Sequence, residues 1–134
     1  MKGVKYLLDT NICVFFLRKK FKIGDKIKEI GIDNCYISEI TVAELLYGAN
    51  CSDNPVKNLE IVKSFCKDFN VISISECLET FAIEKSNLRK MGILIDDFDL
   101  LIASTAIENN FILVTDNVKH FKRLDIKIEN WVNR

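Results

Sequence analysis

The sequence predicts an α/β fold, a three-layer α/β/α domain in which a mostly parallel sheet of four to five strands lies between helices. Three observations predict it. Short apolar runs of strand length alternate along the chain with longer segments of helical period. Such alternation feeds successive strands into one sheet through crossover helices, which makes the strands parallel and covers both faces. The 134 residues contain no linker, repeat or low-complexity tract, so residues 1–134 read as one domain of common size.

Residues 4–8 are a short apolar run of buried-strand type. Residues 11–19 crowd Ile12, Val14, Phe15, Phe16 and Leu17 ahead of charge and predict a helix. Residues 21–30 place Ile23, Ile27 and Ile30 at helical spacing. A second strand is expected at 35–37. A short helix follows at 41–47, with Thr41 and Glu44 spaced as a capping box and Gly48 as its stop. A polar loop at 50–54 leads through the single proline, Pro55, into an amphipathic helix at 56–68. Residues 71–74 predict a third strand, and 76–91 a long helix ended by Gly92. Residues 97–109 are almost wholly apolar after an acidic start, which predicts a buried helix capped by Asp96 or Asp97. A fourth strand at 111–114, a short helix at 118–121 and a possible fifth strand at 126–131 complete the pattern.

Composition excludes several classes. Lys plus Arg is 19 and Asp plus Glu is 19, so the net charge is zero. The chain lacks the overall basic excess of many nucleic-acid binders. Any RNA contact must use local clusters such as Arg18 to Lys22, Arg89 with Lys90, or Lys119 with Lys122 and Arg123, or the basic groups of a second subunit. Solvated surface charge is the simpler account of each cluster. The five cysteines, Cys13, Cys35, Cys51, Cys66 and Cys77, are odd in number and form no C-x-x-C pair. That argues against a disulfide framework and a structural zinc site, and for free thiols in a reducing cytosol. The first apolar run meets Asp9 at once and is too short for a signal segment or membrane span. A soluble, cytoplasmic protein with no membrane association is expected.

The acids carry the chemistry. Asp9 follows the first strand, Glu44 lies early in the helix after the second, Asp99 lies in the first turn of the buried helix, and Asp116 follows the fourth strand. In open parallel sheets these positions converge on the carboxyl edge, where ligands bind. Taken singly, each has an ordinary structural explanation as a cap or turn residue. Taken together they do not: two carboxylates about 5 Å apart repel by roughly 3 kcal/mol at an effective dielectric near 20. A divalent cation would relieve that repulsion, and all-oxygen ligands favour Mg2+ or Mn2+ over zinc. Such an ion suits phosphodiester hydrolysis because it activates water and stabilises charge on phosphoryl oxygens. With one histidine and no recognisable nucleophile motif, no side-chain nucleophile competes with that reading.

Four blocks in order, Leu7-Leu8-Asp9-Thr10-Asn11, Thr41 to Gly48, Asp99-Leu100-Leu101-Ile102-Ala103, and Leu113-Val114-Thr115-Asp116-Asn117, resemble the PIN domain, and most nearly the VapC toxins of bacterial toxin–antitoxin pairs. The resemblance covers essentially the whole chain. It implies a PIN-like α/β/α domain and a metal-dependent endoribonuclease acting on structured RNA such as tRNA to arrest translation. It also implies a cognate VapB-like antitoxin, contact with DNA only through that antitoxin, and a homodimer. By motif match Asp9, Glu44 and Asp99 take the metal-carboxylate roles, with Asp116 or Asn117 as the fourth position. Thr10, Asn11 and Thr115 are supporting candidates.

Two other functions compete with this one. A receiver-like signalling domain would also bind magnesium, but it needs a phosphoacceptor aspartate at the end of a central strand, and the third strand leads into Ser75-Glu76. A non-catalytic PIN-like scaffold would need a broken acid set. Among the rest, His120 reads as a surface helix residue and Trp131 as packing. Phe15, Phe16 and Phe21 read as core, with a surface for an antitoxin or second subunit as the alternative.

Overall fold

The computed structural model describes residues 3–134. Its sheet has five strands, β1 (Tyr6–Leu8), β2 (Cys35–Ser38), β3 (Asn70–Ile72), β4 (Ile112–Val114) and β5 (Ile128–Glu129). They lie in the order β3-β2-β1-β4-β5, and every neighbouring pair is parallel. The strand order therefore runs outward in opposite directions from β1, so β1 and β4 flank the point where a crevice opens at the carboxyl edge.

Side-chain alternation distributes the sheet between two cores. Leu7 and Leu113 point into one, with Leu100, Ile102, Ala103 and Phe121. Leu8 and Val114 point into the other, with Ile12, Ile27, Ile37, Leu45 and Phe65. Both faces of β1 and β4 are thus apolar, as strands buried between helical layers must be.

Seven helices are present among the described residues: α1 (Thr10–Leu17), α2 (Ile23–Ile30), α3 (Glu39–Asn50), α4 (Pro55–Asp68), α5 (Leu78–Lys90), α6 (Asp97–Asn109) and α7 (Val118–Phe121). The first four contribute to the core that holds Leu8, and α5, α6 and α7 to the core that holds Leu7. Asp96 caps α6, its carboxylate accepting from the Phe98 amide at 3.0 Å, while Asp97 pairs instead with Lys85. Pro55 opens α4 behind an Asn54 cap.

The structure corrects two boundary expectations. First, the helix after β2 is not capped by Thr41 and not stopped by Gly48. It begins at Glu39, with the buried Ser38 hydroxyl accepting from the Ile40 amide at 3.0 Å, and runs to Asn50. Glu44 therefore lies in the second turn and makes no capping box. Ser38 satisfies the Ile40 amide instead, which leaves the Thr41 hydroxyl and the Glu44 carboxylate to meet Thr10. Second, α2 starts at Ile23, because Phe21 and Lys22 take left-handed backbone angles, φ 56° and 55°. The Phe21 ring packs edge-on against Phe15 at 4.9 Å. Ser38→Ala is expected to cost about 1–2 kcal/mol, since it removes a cap whose amide is buried. A urea unfolding midpoint that does not move would contradict this role.

Phe15, Phe16 and Phe21 pack, partly buried, against the core around Ile12 and Ile23. Trp131 is buried, 5.5 Å from the Tyr6 ring, as a packing residue should be. All five cysteines are free, and three, Cys13, Cys35 and Cys77, are buried. Burial pushes the Cys13 thiol well above its ordinary range, which marks it as inert filling. Among the described residues, no helix is long and apolar enough to cross a membrane.

Candidate functional site

Asp9 lies at the switch point because β1 ends there: its amide donates to the Val114 carbonyl at 2.8 Å, continuing the β1–β4 ladder by one residue. The side chain is only 4% exposed, and two short hydrogen bonds fix it. The Thr10 amide donates to Oδ1 at 2.8 Å, and the Thr115 hydroxyl donates to Oδ2 at 2.7 Å. Asp9 thus caps α1 and is tethered to the end of β4 at once. The capping reading of this residue holds, and each oxygen keeps a second lone pair for a further partner. Burial raises its pKa, and the bonds from Thr115 and Thr10 and the charge of His120 lower it in part.

Glu44 approaches from α3. Its Oε1 accepts from the Thr10 hydroxyl at 2.7 Å, and Thr10 Oγ1 also lies 3.0 Å from Thr41 Oγ1, fully buried below it. Thr10 therefore links Asp9, through its amide, to Glu44, through its hydroxyl. Asn11 reaches the opposite rim, where its Oδ1 accepts weakly from the Asp116 amide at 3.4 Å. The Thr115 hydroxyl that serves Asp9 also accepts from the Asn117 amide at 3.0 Å. The role of Thr115 is thus to lock the β4–α7 turn onto Asp9.

Asp99 arrives in the first turn of α6. Its carboxyl is pushed up to about 6, first by burial and then by the negative charge of Asp9, with smaller contributions from Asp96 and Glu44 and a partial offset from His120. Three carboxylates from β1, α3 and α6 thus share one electrostatic neighbourhood. None of the three forms an ion pair with a lysine or arginine among the described residues. The Glu44 carboxylate is engaged by Thr10, and among the described residues no three His, Cys, Asp or Glu side chains are gathered into a finished metal cage.

Asp116 has other partners. Arg134 grips it with both terminal nitrogens, at 2.8 Å to Oδ1 and 2.7 Å to Oδ2, and Asn130 Nδ2 donates to Oδ1 at 3.2 Å. The hydrogen bonds from Arg134 hold its pKa below the ordinary carboxylate range. Asp116 is therefore paired with an arginine, unlike Asp9, Glu44 and Asp99. Asn117 is exposed at the entry to α7, where its side chain caps nothing.

Sequence reasoning missed two neighbours. His120 is exposed as expected, but its Nδ1 stands 3.8 Å from Asp99 Oδ2. Arg134 lies far in sequence from the Asp116 that it meets. Neither carries a local signal, since each is brought to the site only by the packing of α7 and of the segment after β5. His120, Lys119, Asn117, Asp116 and Asn130 line an open cleft of about 530 Å³ beside the acids.

A set of buried and half-buried carboxylates near the switch point of a parallel sheet suits a hard cation, and known proteins share the fold that carries it. The chain is 33% identical over 132 residues to a ribonuclease VapC of Haemophilus influenzae, covering 96% of this chain and 99% of that one. It is 30% identical to a tRNA(fMet)-specific endonuclease VapC of Shigella flexneri, covering 96% and 98%. Among solved structures, a chain of the DNA-bound VapBC complex of Salmonella typhimurium superposes with a TM-score of 0.89 at 30% identity, over 96% of this chain and 99% of that one. The PIN domain pattern matches residues 6–127, from β1 to the threshold of β5, and the chain accordingly belongs to the PIN-domain family.

Proposed function

We propose that this chain is a VapC-type toxin, an endoribonuclease that depends on a divalent cation and cleaves structured RNA such as tRNA. The observation that carries the proposal is the set of three carboxylates, Asp9, Glu44 and Asp99, brought into one neighbourhood without a lysine or arginine partner while Asp99 is raised to about 6. Negative charge buried without a lysine or arginine partner is offset by protonation, by His120 beside Asp99, or by a bound cation.

The donor set fits Mg2+ or Mn2+, because every candidate ligand is a carboxylate oxygen. When bound, such an ion supplies Lewis-acid stabilisation of phosphoryl charge and a water of lowered pKa. Asp9, Glu44 and Asp99 are the residues proposed to hold it. Thr115 and the Thr10 amide fix the orientation of Asp9, and the Thr10 hydroxyl does the same for Glu44. Asn117, Lys119 and His120, on the open cleft, are positioned to meet the RNA strand. Asp116 stays outside the proposed ligand set, since Arg134 already satisfies its charge.

The relatives named above support a VapB-like antitoxin as partner, with DNA reached through that antitoxin. We also propose a homodimer acting in the cytoplasm, in which a second copy adds basic residues to the groove that this neutral chain lacks by itself.

Brief expression of the chain beside its Asp99→Asn variant, followed by mapping of RNA 5′ ends in the cell, tests the proposal. New 5′ ends and slowed growth are expected with the unaltered chain alone. Identical RNA profiles and identical growth at equal protein levels would overturn it.

A further inference from the structure

The Arg134–Asp116 pair does more than decorate the rim. Asp116 directly follows Thr115, whose hydroxyl holds Asp9, so its backbone belongs to the acidic edge. Its side chain does not join the other acids. A bidentate guanidinium fork is the geometry that best matches a carboxylate, and here it takes both oxygens, with Asn130 adding a third donor. The same guanidinium lies 5.4 Å from the centre of the Phe21 ring. Phe21 is a bulky residue in a left-handed conformation, fixed by its edge-on contact with Phe15. Below, Trp131 anchors the segment after β5, buried against Tyr6, with its Nε1 donating to Glu129 at 2.9 Å. Arg134 therefore spans two loops at the rim, the β4–α7 turn and the α1–α2 turn, from a firmly seated base.

We infer that Arg134 is a positioning residue that latches Asp116 away from the metal-holding carboxylates, so that the centre works with three acids and not four. The inference rests on the carboxylate reading given under Proposed function. It assigns to Arg134 the task of setting the ligand count, and with it the affinity for the cation. Removing the latch frees a carboxylate next to Thr115 to swing toward Asp9, and an added anionic ligand tightens the hold on a hard cation.

Four proteins test this by Mn2+ titration followed by electron paramagnetic resonance of free Mn2+: the unaltered chain, Asp116→Asn, Arg134→Gln and the double variant. Arg134 is well exposed, so its replacement leaves the fold intact, which circular dichroism verifies. Asp116→Asn is expected to bind as the unaltered chain does. Arg134→Gln is expected to bind Mn2+ about fivefold more tightly, and the double variant to return to the starting affinity. Arg134→Lys, which keeps the charge but loses the fork, is expected to fall between. The latch is overturned if Arg134→Gln binds no more tightly, if its gain survives in the double variant, or if Asp116→Asn alone weakens binding. Absence of Mn2+ binding by all four folded proteins would instead remove the carboxylate centre itself, and the latch with it.

Discussion

Asp9→Asn is expected to lower metal-dependent RNA cleavage by at least about a hundredfold, the scale of losing several kcal/mol of charge stabilisation at the reacting phosphate. The argument is local. The amide has the shape of the carboxylate, so its oxygen can still accept from Thr10 or Thr115, and α1 keeps its cap. What disappears is a negative charge held at 4% exposure beside Asp99. Removing a buried charge should leave unfolding stability unchanged or raised, so lost cleavage would report on the site and not on the fold. Purified protein, a structured RNA and added Mg2+ suffice for the measurement. Cleavage that survives the substitution within tenfold, and remains sensitive to chelator, would show that the cation is held elsewhere.

The second large effect concerns pH. Asp99 titrates at about 6 in the fold, against an ordinary 3.8. A carboxyl whose folded pKa is raised favours the folded state when protonated. Its contribution is fully present below about 4 and is lost as pH rises toward about 6, where the charge must be carried beside Asp9. Metal-free protein is therefore expected to lose stability across that window relative to Asp99→Asn, which stays neutral throughout. Above pH 6 the variant should have the higher Tm in chelator. Added Mn2+ should reverse the order by stabilising only the protein that can bind it. A thermal melting series between pH 4 and 7.5, with and without Mn2+, reads both effects. If the unaltered chain in chelator gains stability over the variant as pH rises, Asp99 is stabilised as an anion by the protein alone, and the need for a cation vanishes. The activity profile should follow the opposite course, rising through pH 6 as Asp99 becomes an anion.

These two expectations separate structural from chemical roles for the same acids. Asp9 is an N-cap, so a cap alone could explain its Thr10 bond. It does not explain the second bond from Thr115, 106 positions away. For Glu44 the sequence offered a capping box, and the structure removes that explanation by giving the cap to Ser38. The carboxylate is left to Thr10, on another helix.

The sequence by itself determined the layered α/β architecture and put Asp9 and Asp116 just past strand ends. Apolar runs that cannot remain in water, such as Leu7-Leu8 and Leu113-Val114, must become buried strands. The helical segments between them must lie on the faces, and parallel strands then deliver Asp9 and Thr115 to a common edge. The four expected strands, the possible fifth and the helical segments all occur, differing mainly at their ends. Tertiary structure alone decided which cation each acid meets. Arg134 meets Asp116 across 18 positions, and His120 meets Asp99 across 21. Neither pairing follows a helical or strand period, so no local pattern could reveal it. The start of α2 was hidden for a related reason: the contact of Phe21 with Phe15 accompanies a backbone conformation that local propensity disfavours. Periodicity reports which way a residue faces, whereas charge compensation depends on what the packed chain sets opposite it.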